Sequence, residues 1–257
     1  MHLHCLGTAG YHPNETRHTS CYFLPKSGIV LDAGSGAFRL ADLIETETLD
    51  ILLSHAHLDH TLGLTFLLDV LYQCEQRKHS ISTVRVWGEA AKLDAVKNNL
   101  LSDLIFPADL ACEWRPIDDL PSFAIGDCKV VWRAQDHPGG SVAYRLDWAK
   151  DDQAKRLVYA SDTTGDLSDE HADWSRGADV LLHECYFQNS SATWAEKTGH
   201  TWTERVADVA VKSQPKHLLL THINPLETSE DPVEIEQIRS RLDCEVTLAT
   251  DHAVIEF

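Results

Sequence analysis

The segment Leu52-Leu53-Ser54-His55-Ala56-His57-Leu58-Asp59-His60 constrains this chain more than any other. It stands where a short apolar run (51–54) of strand character gives way to a helical pattern over 62–73 with a broad apolar face. Residues two apart on an extended segment point to one side. His55 and His57 therefore share a face, and the chain then turns so that Asp59 and His60 can meet the same point. Imidazole and carboxylate are the donors that divalent zinc takes, so this spacing predicts metal ligands rather than solvated loop histidines. Histidine numbers 15 among 257 residues, which leaves further donors available downstream.

Short apolar or β-branched runs recur at 2–6, 20–24, 28–32, 51–54, 83–87, 129–134, 142–147, 156–161, 180–183, 217–221, 245–249 and 253–257, each closed by a turn or a polar cluster. Helical patterns fall over 62–73 and 90–101. Thr201-Trp202-Thr203-Glu204 has capping-box spacing ahead of a helix over 205–212, and Asp231-Pro232-Val233-Glu234 supplies an N-cap and a first-turn proline ahead of one over 235–242. No linker or low-complexity tract interrupts them, so a single α/β domain over 1–257 is expected. The acidic stretch 147–153 reads as a solvated turn between strands.

Hydrophobic residues at 43% and charged residues at 24% are those of a globular chain. The opening Met1-His2-Leu3-His4-Cys5-Leu6-Gly7 lacks the basic start and apolar run of a secretory signal, and no apolar stretch approaches the ~20 residues of a membrane span. Seven scattered cysteines without a C-x-x-C pair read as reduced thiols, and the expected location is the cytoplasm. Twenty-two Lys and Arg against 40 Asp and Glu give a formal charge of −18, which repels phosphate backbones and anionic lipid. Nucleic acid and membrane are accordingly not the expected partners.

The His55-to-His60 segment resembles the H-x-H-x-D-H hallmark of the metallo-β-lactamase superfamily, and the downstream residues extend the likeness. His137 in Gln135-Asp136-His137-Pro138-Gly139-Gly140, Asp162 in Ser161-Asp162-Thr163 and His222 in Leu220-Thr221-His222-Ile223-Asn224-Pro225 fill the family's remaining ligand positions in order. The resemblance implies a four-layer αββα fold, two mixed sheets flanked by helices. It also implies a dinuclear site in which His55, His57 and His137 hold one ion, Asp59, His60 and His222 the other, and Asp162 bridges them. Zinc suits these donors best, with manganese or iron also compatible by ligand type. Paired ions activate water and stabilise charge on attacking and leaving oxygens, so the implied chemistry is hydrolysis. The added acid of the family's oxygen-reducing di-iron members is missing, because Leu58 occupies its place.

Leu182-His183-Glu184-Cys185-Tyr186 and Thr198-Gly199-His200-Thr201 look like the His-Glu-Ala-Thr segment and glycine-histidine loop of ribonuclease Z and related phosphodiesterases. The likeness makes His200 a non-ligand acid at the scissile phosphate, Glu184 its orienting carboxylate and Asp59 an aid to the nucleophile. His183 reads as a packed residue. Asp32-Ala33-Gly34 matches a turn whose acid supports the ligands by hydrogen bonding. Arg17 and Trp202 are candidate substrate contacts. An ion pair for Arg17 and core packing for Trp202 are the alternatives.

The pattern departs from transfer-RNA processing in two places. Glu15 in Pro13-Asn14-Glu15-Thr16-Arg17 stands where that group carries a lysine, and His137 and Asp162 lie only 25 positions apart (162 − 137), leaving no room for its long basic arm. The expected substrate is therefore a small phosphodiester, cyclic or nucleotide-derived. Ribonuclease Z-type RNA 3′-end processing, a lactonase, thioesterase or arylsulfatase-like activity, and a noncatalytic metal-binding or sensing module are the alternatives. A homodimer, whose second subunit can supply an arm, is compatible with the sequence.

Overall fold

The computed structural model describes residues 1–150 and 153–257, the side chains of Lys150 and Gln153 excepted. The chain divides into two compact units, residues 1–121 with 251–256, and residues 122–250 with 257.

The first unit is built on strands β1 (His2–Gly7), β2 (Cys21–Leu24), β3 (Ile29–Leu31), β4 (Thr48–Leu52), β5 (Thr83–Gly88), β6 (Glu113–Pro116) and, from the chain end, β14 (Val254–Glu256), in the order β14-β1-β2-β3-β4-β5-β6. Pairing is antiparallel from β14 to β3 and parallel from β3 to β6. Ile29, Val30, Leu31, Leu49, Ile51 and Leu52 are all buried, as central parallel strands require. Asp50 is the exception inside β4, held by Trp87 Nε1 at 2.8 Å and Arg85 at 3.2 Å.

Helices α1 (Leu58–Thr61), α2 (Leu67–Gln76) and α3 (Ala90–Ala95) cover this sheet, burying Leu67, Val70 and Leu93 in the same core as Val30, Leu49 and Ile51. The helix expected over 62–73 is a 3-10 turn, Leu62–Phe66, running into α2. The tight winding follows from Gly63, whose N–H donates to Ala33 O at 2.7 Å, and where a Cβ would lie 2.2 Å from Gly34 O. The helix expected over 90–101 is α3 followed by a π turn over Val96–Leu100.

The second unit repeats this plan. Strands β7 (Ser122–Ile125), β8 (Cys128–Gln135), β9 (Ser141–Lys150), β10 (Gln153–Ala160), β11 (Val180–Glu184), β12 (His217–Thr221) and β13 (Glu245–Leu248) lie in the order β13-β12-β11-β10-β9-β8-β7. They pair antiparallel from β7 to β10 and parallel from β10 to β13. Every residue of β11 and β12 is buried. Helices α4 (Asp169–Ser175), α5 (Ala192–Thr198), α6 (Thr203–Ser213) and α7 (Ile235–Arg239) accompany the sheet, with Val206, Ala207, Ala210 and Ile238 packed in one core with Leu181, Leu218 and Leu220.

All twelve expected strands are present, with ends shifted by a few residues, and β6 and β7 are additional. Both are short, β6 is mostly exposed, and neither shows the apolar alternation that announces a strand. The solvated turn expected over 147–153 is corrected. Asp147 lies inside β9 and accepts from Arg145 Nε (2.9 Å) and Arg156 Nε (2.7 Å), while Lys150 pairs with Gln153; Asp151 and Asp152 lie outside the described residues.

The capping box also fails. Helix α6 starts at Thr203, and the Thr201 hydroxyl donates instead to Glu184 O at 2.9 Å. Asn189 Oδ1 takes over the cap, accepting from Glu204 N at 2.8 Å. Asp231 accepts from Ile235 N at 2.9 Å, and α7 ends at Arg239, short of the expected 242. No described helix is long and apolar enough to cross a membrane.

Candidate metal centre

In the first unit the donors gather at the carboxyl end of β4, where the chain leaves the sheet. The His55 ring lies 4.4 Å from that of His57 and 4.3 Å from that of His60, centroid to centroid. His55 and His60 are buried and His57 is exposed. Asp32, at the end of β3, is fully buried and accepts three hydrogen bonds, from Ser54 N (2.7 Å), Ser54 Oγ (2.7 Å) and His60 Nδ1 (2.6 Å). The turn around Asp32 thus buries a carboxylate that holds the His60 ring by hydrogen bond. With its Nδ1 proton on Asp32, His60 presents the Nε2 lone pair, which sits 3.3 Å from Asp59 Oδ2.

Asp59 is steadied from two sides. Its Oδ2 accepts the backbone N–H of Tyr11 at 2.7 Å. On the other side Gly34 comes so close that a Cβ there would lie 2.2 Å from the Asp59 carbonyl oxygen.

In the second unit Asp162 follows β10, Glu184 closes β11 and His222 follows β12, three neighbouring parallel strands ending together. Asp162 Oδ2 lies 3.5 Å from His137 Nε2, and its Oδ1 lies 3.2 Å from His222 Nε2. One carboxylate therefore offers each oxygen to a different imidazole. His137 donates from Nδ1 to Gly199 O at 2.9 Å, so its Nε2 also carries a lone pair. Burial pushes the His137 ring below its ordinary pKa, against the opposing pull of Asp162 and the Gly199 carbonyl, and keeps it neutral at pH 7.

The Nε2 lone pair of His60 faces Asp59 at 3.3 Å and that of His137 faces Asp162 at 3.5 Å, and each of these two pairs repels unless a cation lies between its members. These donors fit divalent ions, since neutral imidazoles held by their second nitrogen and ionised carboxylates are what such ions require.

Beside the Asp162 donors, His200 points Nδ1 at Glu184, 3.2 Å from Oε2 and 3.3 Å from Oε1. Glu184 is fully buried and also accepts Thr163 N at 2.5 Å and Thr201 N at 3.2 Å, so it fixes both the turn after Asp162 and the His200 loop. Burial opposes its charge, but His200 and His222 outweigh it and hold the carboxyl below its ordinary value. Tyr186 stacks on the His200 ring at 4.6 Å and 17°, and His222 lies 5.4 Å away at 26°. Gly199, left-handed at φ 81°, ends α5 and turns the chain into His200; a Cβ there would meet Pro138 Cδ at 2.2 Å.

The remaining candidates are placed as follows. Arg17 is half-buried and donates from NH1 to Thr8 Oγ1 at 2.6 Å, within the field of Asp251. Trp202 is 8% exposed under the Arg205 guanidinium, 4.9 Å from its ring, which places it in the core. His183 is buried, with Nδ1 donating to Glu184 O at 2.7 Å. Sequence reasoning missed Ser54, the Tyr11 N–H and the Gly199 carbonyl. Of these only Ser54, next to the first histidine, left any signal.

The family profile described as "Beta-lactamase superfamily domain" matches residues 28–223. A ribonuclease Z of Natronomonas pharaonis is 23% identical, over 90% of this chain and 89% of its own. Among solved structures, the metallo-β-lactamase fold protein YhfI of Bacillus subtilis covers 100% of this chain and 98% of its own, with a TM-score of 0.72 and 19% identity. A diphosphatase of the PhnP family covers 100% and 96%, with a TM-score of 0.70 and 18% identity. The two mixed sheets with their helices are thus the expected metallo-β-lactamase fold.

Proposed function

The chain belongs to the β-lactamase superfamily, and we propose that within it the protein is a metal-dependent hydrolase of small phosphodiesters, cyclic or nucleotide-derived. The observation that carries the reading is the Glu184–His200 pair set beside the Asp162 and His222 donors. In this reading His55, His57 and His137 serve one ion, Asp59, His60 and His222 the second, and Asp162, with its two oxygens turned to two imidazoles, serves both. The ions, zinc by preference, lower the pKa of water and offset charge on the oxygens being exchanged.

The chain's own residues supply the rest. Asp59, fixed by the Tyr11 N–H, orients the water and takes its proton. His200, with Nδ1 held by Glu184, presents Nε2 to a phosphoryl or leaving-group oxygen in this reading, and the buried carboxylate keeps that ring aimed. Such a proton donor suits the alkoxide leaving group of a diester.

What joins the donors favours a small substrate. The interval between His137 and Asp162 is occupied by the β9–β10 hairpin, whose strands pair up to Lys150 and Gln153, and Glu15 is exposed on the N-terminal loop. The hairpin's described cations are paired, Arg145 and Arg156 with Asp147 and Lys155 with Asp179, and Glu15 repels a phosphate backbone. The unpaired state of all seven cysteines suits a reducing, cytoplasmic setting. A second reading, RNA 3′-end processing, is favoured by the match to a ribonuclease Z along nearly its whole length.

The test is turnover by the zinc-loaded protein of bis-p-nitrophenyl phosphate, a lactone, a sulfate ester and a precursor transfer RNA at low salt. Diester hydrolysis should dominate, and on a diester with an alkoxide leaving group, such as a nucleoside 2′,3′-cyclic phosphate, His200→Ala should lower turnover about 10²–10⁴-fold, the usual contribution of a general acid. Preference for the lactone with little effect of His200→Ala sinks the proposal, cleavage of the RNA selects the second reading, and a metal-loaded protein inert on all four is a binding module.

A further inference from the structure

Asp251 lies in the turn that leads into β14, and that turn is fastened to β1 by Cys5 N→Ala253 O (2.9 Å) and His252 N→Cys5 O (2.8 Å). Its side chain is only 3% exposed. Oδ1 accepts the Thr8 hydroxyl at 2.8 Å; Oδ2 accepts His18 N at 2.8 Å and Arg39 NH1 at 2.6 Å. Thr8 in turn accepts Arg17 NH1 at 2.6 Å.

Thr8 and His18 are the two stems of the N-terminal loop, which Ala9 N→His18 O closes at 2.8 Å. One buried carboxylate therefore holds both ends of the loop. At the loop's tip Tyr11 takes a left-handed backbone, φ 60°, braced by His12 N→Gly10 O at 2.7 Å, and aims its N–H at Asp59 Oδ2. The ring of Tyr11 is 73% exposed, so packing of that side chain does not set the tip. The stems do.

We propose that Asp251 is a positioning residue: by clamping Thr8, His18 and Arg39 it keeps the Tyr11 N–H on Asp59 Oδ2 and so sets the direction in which Asp59 presents its carboxylate to a metal ion. This rests on the assignment of Asp59 as a ligand. A backbone donor leaves the other lone pairs of the carboxylate available for ligation while removing its freedom to rotate away.

Zinc titration against a competing chelator, read together with hydrogen exchange at the Tyr11 amide, tests the idea in Asp251→Asn. The amide keeps the size of the side chain but exchanges one acceptor for a donor facing donors. Affinity for one of two zinc ions should fall about 10–100-fold, as for lost partners of ligating carboxylates, and the Tyr11 amide should lose protection.

Asp50→Asn is the control, since Asp50 is an equally buried acid of the same sheet with its own donors, Trp87 and Arg85. It should lower stability yet leave zinc affinity and Tyr11 exchange as in the wild type. Thr8→Val, which removes one arm of the clamp and keeps the carboxylate, should weaken the same ion several-fold and covers the case in which Asp251→Asn does not fold. Unchanged zinc affinity in Asp251→Asn or in Thr8→Val, or an equal loss in Asp50→Asn, overturns the proposal while the metal assignment stands. A wild-type protein that binds no zinc overturns the assignment and the proposal with it.

Discussion

Replacing Glu184 with Gln isolates the one interaction that distinguishes a phosphodiesterase reading from a generic hydrolase. The carboxylate accepts Thr163 N at one oxygen, Thr201 N at the other, and His200 Nδ1 at 3.2–3.3 Å. Gln has a single acceptor oxygen. With that oxygen left on Thr163, the closest partner, the amide NH2 faces the Thr201 N–H and the His200 Nδ1–H, donors against donors. The ring escapes by moving its proton to Nε2, but the Thr201 N–H stays buried without an acceptor, which costs about 1–3 kcal/mol of stability.

Catalytically, a neutral ring no longer backed by an anion is a poorer acid, and kcat on a diester with an alkoxide leaving group, such as a nucleoside 2′,3′-cyclic phosphate, should fall about 10²–10⁴-fold with KM little changed. The decisive measurement is the double mutant Glu184→Gln/His200→Ala in zinc-loaded form. If Glu184 acts through His200, the double mutant is no slower than His200→Ala, and the coupling energy approaches the smaller single effect, about 3 kcal/mol for a hundredfold loss. Additive losses would refute the reasoning, because Glu184 would then serve the turn at Thr163 independently of His200.

Asp32→Asn removes the anion that holds His60 Nδ1, so zinc affinity should drop about 10–100-fold. At saturating zinc the metal-induced stabilisation, read by urea melts with and without metal, should shrink by about 1.4–2.8 kcal/mol. His171, 3% exposed, has its pKa lowered to about 4, by burial first and then by His183 and Arg133 against the pull of Asp166. The unfolded state therefore binds the proton more tightly, and stability is lost as pH falls from 6.5 towards 4, by about 2 kcal/mol at pH 5 for this group. Urea midpoints at pH 7.5 and 5.0 should show His171→Met losing correspondingly less on acidification than the wild type; equal losses would remove His171 from the account. Gly199→Ala should lower both stability and diester turnover, because its left-handed φ of 81° and the 2.2 Å approach to Pro138 force the His137 and His200 loops apart. Turnover equal to wild type would show that the α5 turn does not position His200.

What the sequence makes legible here is what side-chain identity at a fixed period encodes. His55 and His57 repeat every second residue behind an apolar run, and Asp32, Asp162 and Glu184 each close a run that the structure shows as a buried parallel strand. Backbone groups carry no such mark. The Tyr11 N–H and the Gly199 carbonyl, which orient Asp59 and His137, could come from any residue able to take those turns. Competition hid others. Thr201 has the spacing of an N-cap, but the Glu184 carbonyl is a nearer acceptor once β11 and α6 come together. Arg17 has the charge to bind phosphate, and Thr8 with Asp251 engages it, an acid 243 positions from Thr8 that no local pattern could have joined to it.

Asp32, Asp162 and His222 have φ of 56°, 56° and 52°; Asp32 and His222 follow directly on a parallel strand, and Asp162 stands one residue beyond the end of another. In that conformation a non-glycine residue costs about 1–2 kcal/mol, and three of them at equivalent strand ends are sustained by the buried strands that precede them. The reversal ends the strand alternation at that point. Asp tolerates the conformation well, so the two aspartates were foreseeable as turn residues. Histidine shares that tolerance, and the reversal at His222 leaves its Nε2 3.2 Å from Asp162 Oδ1.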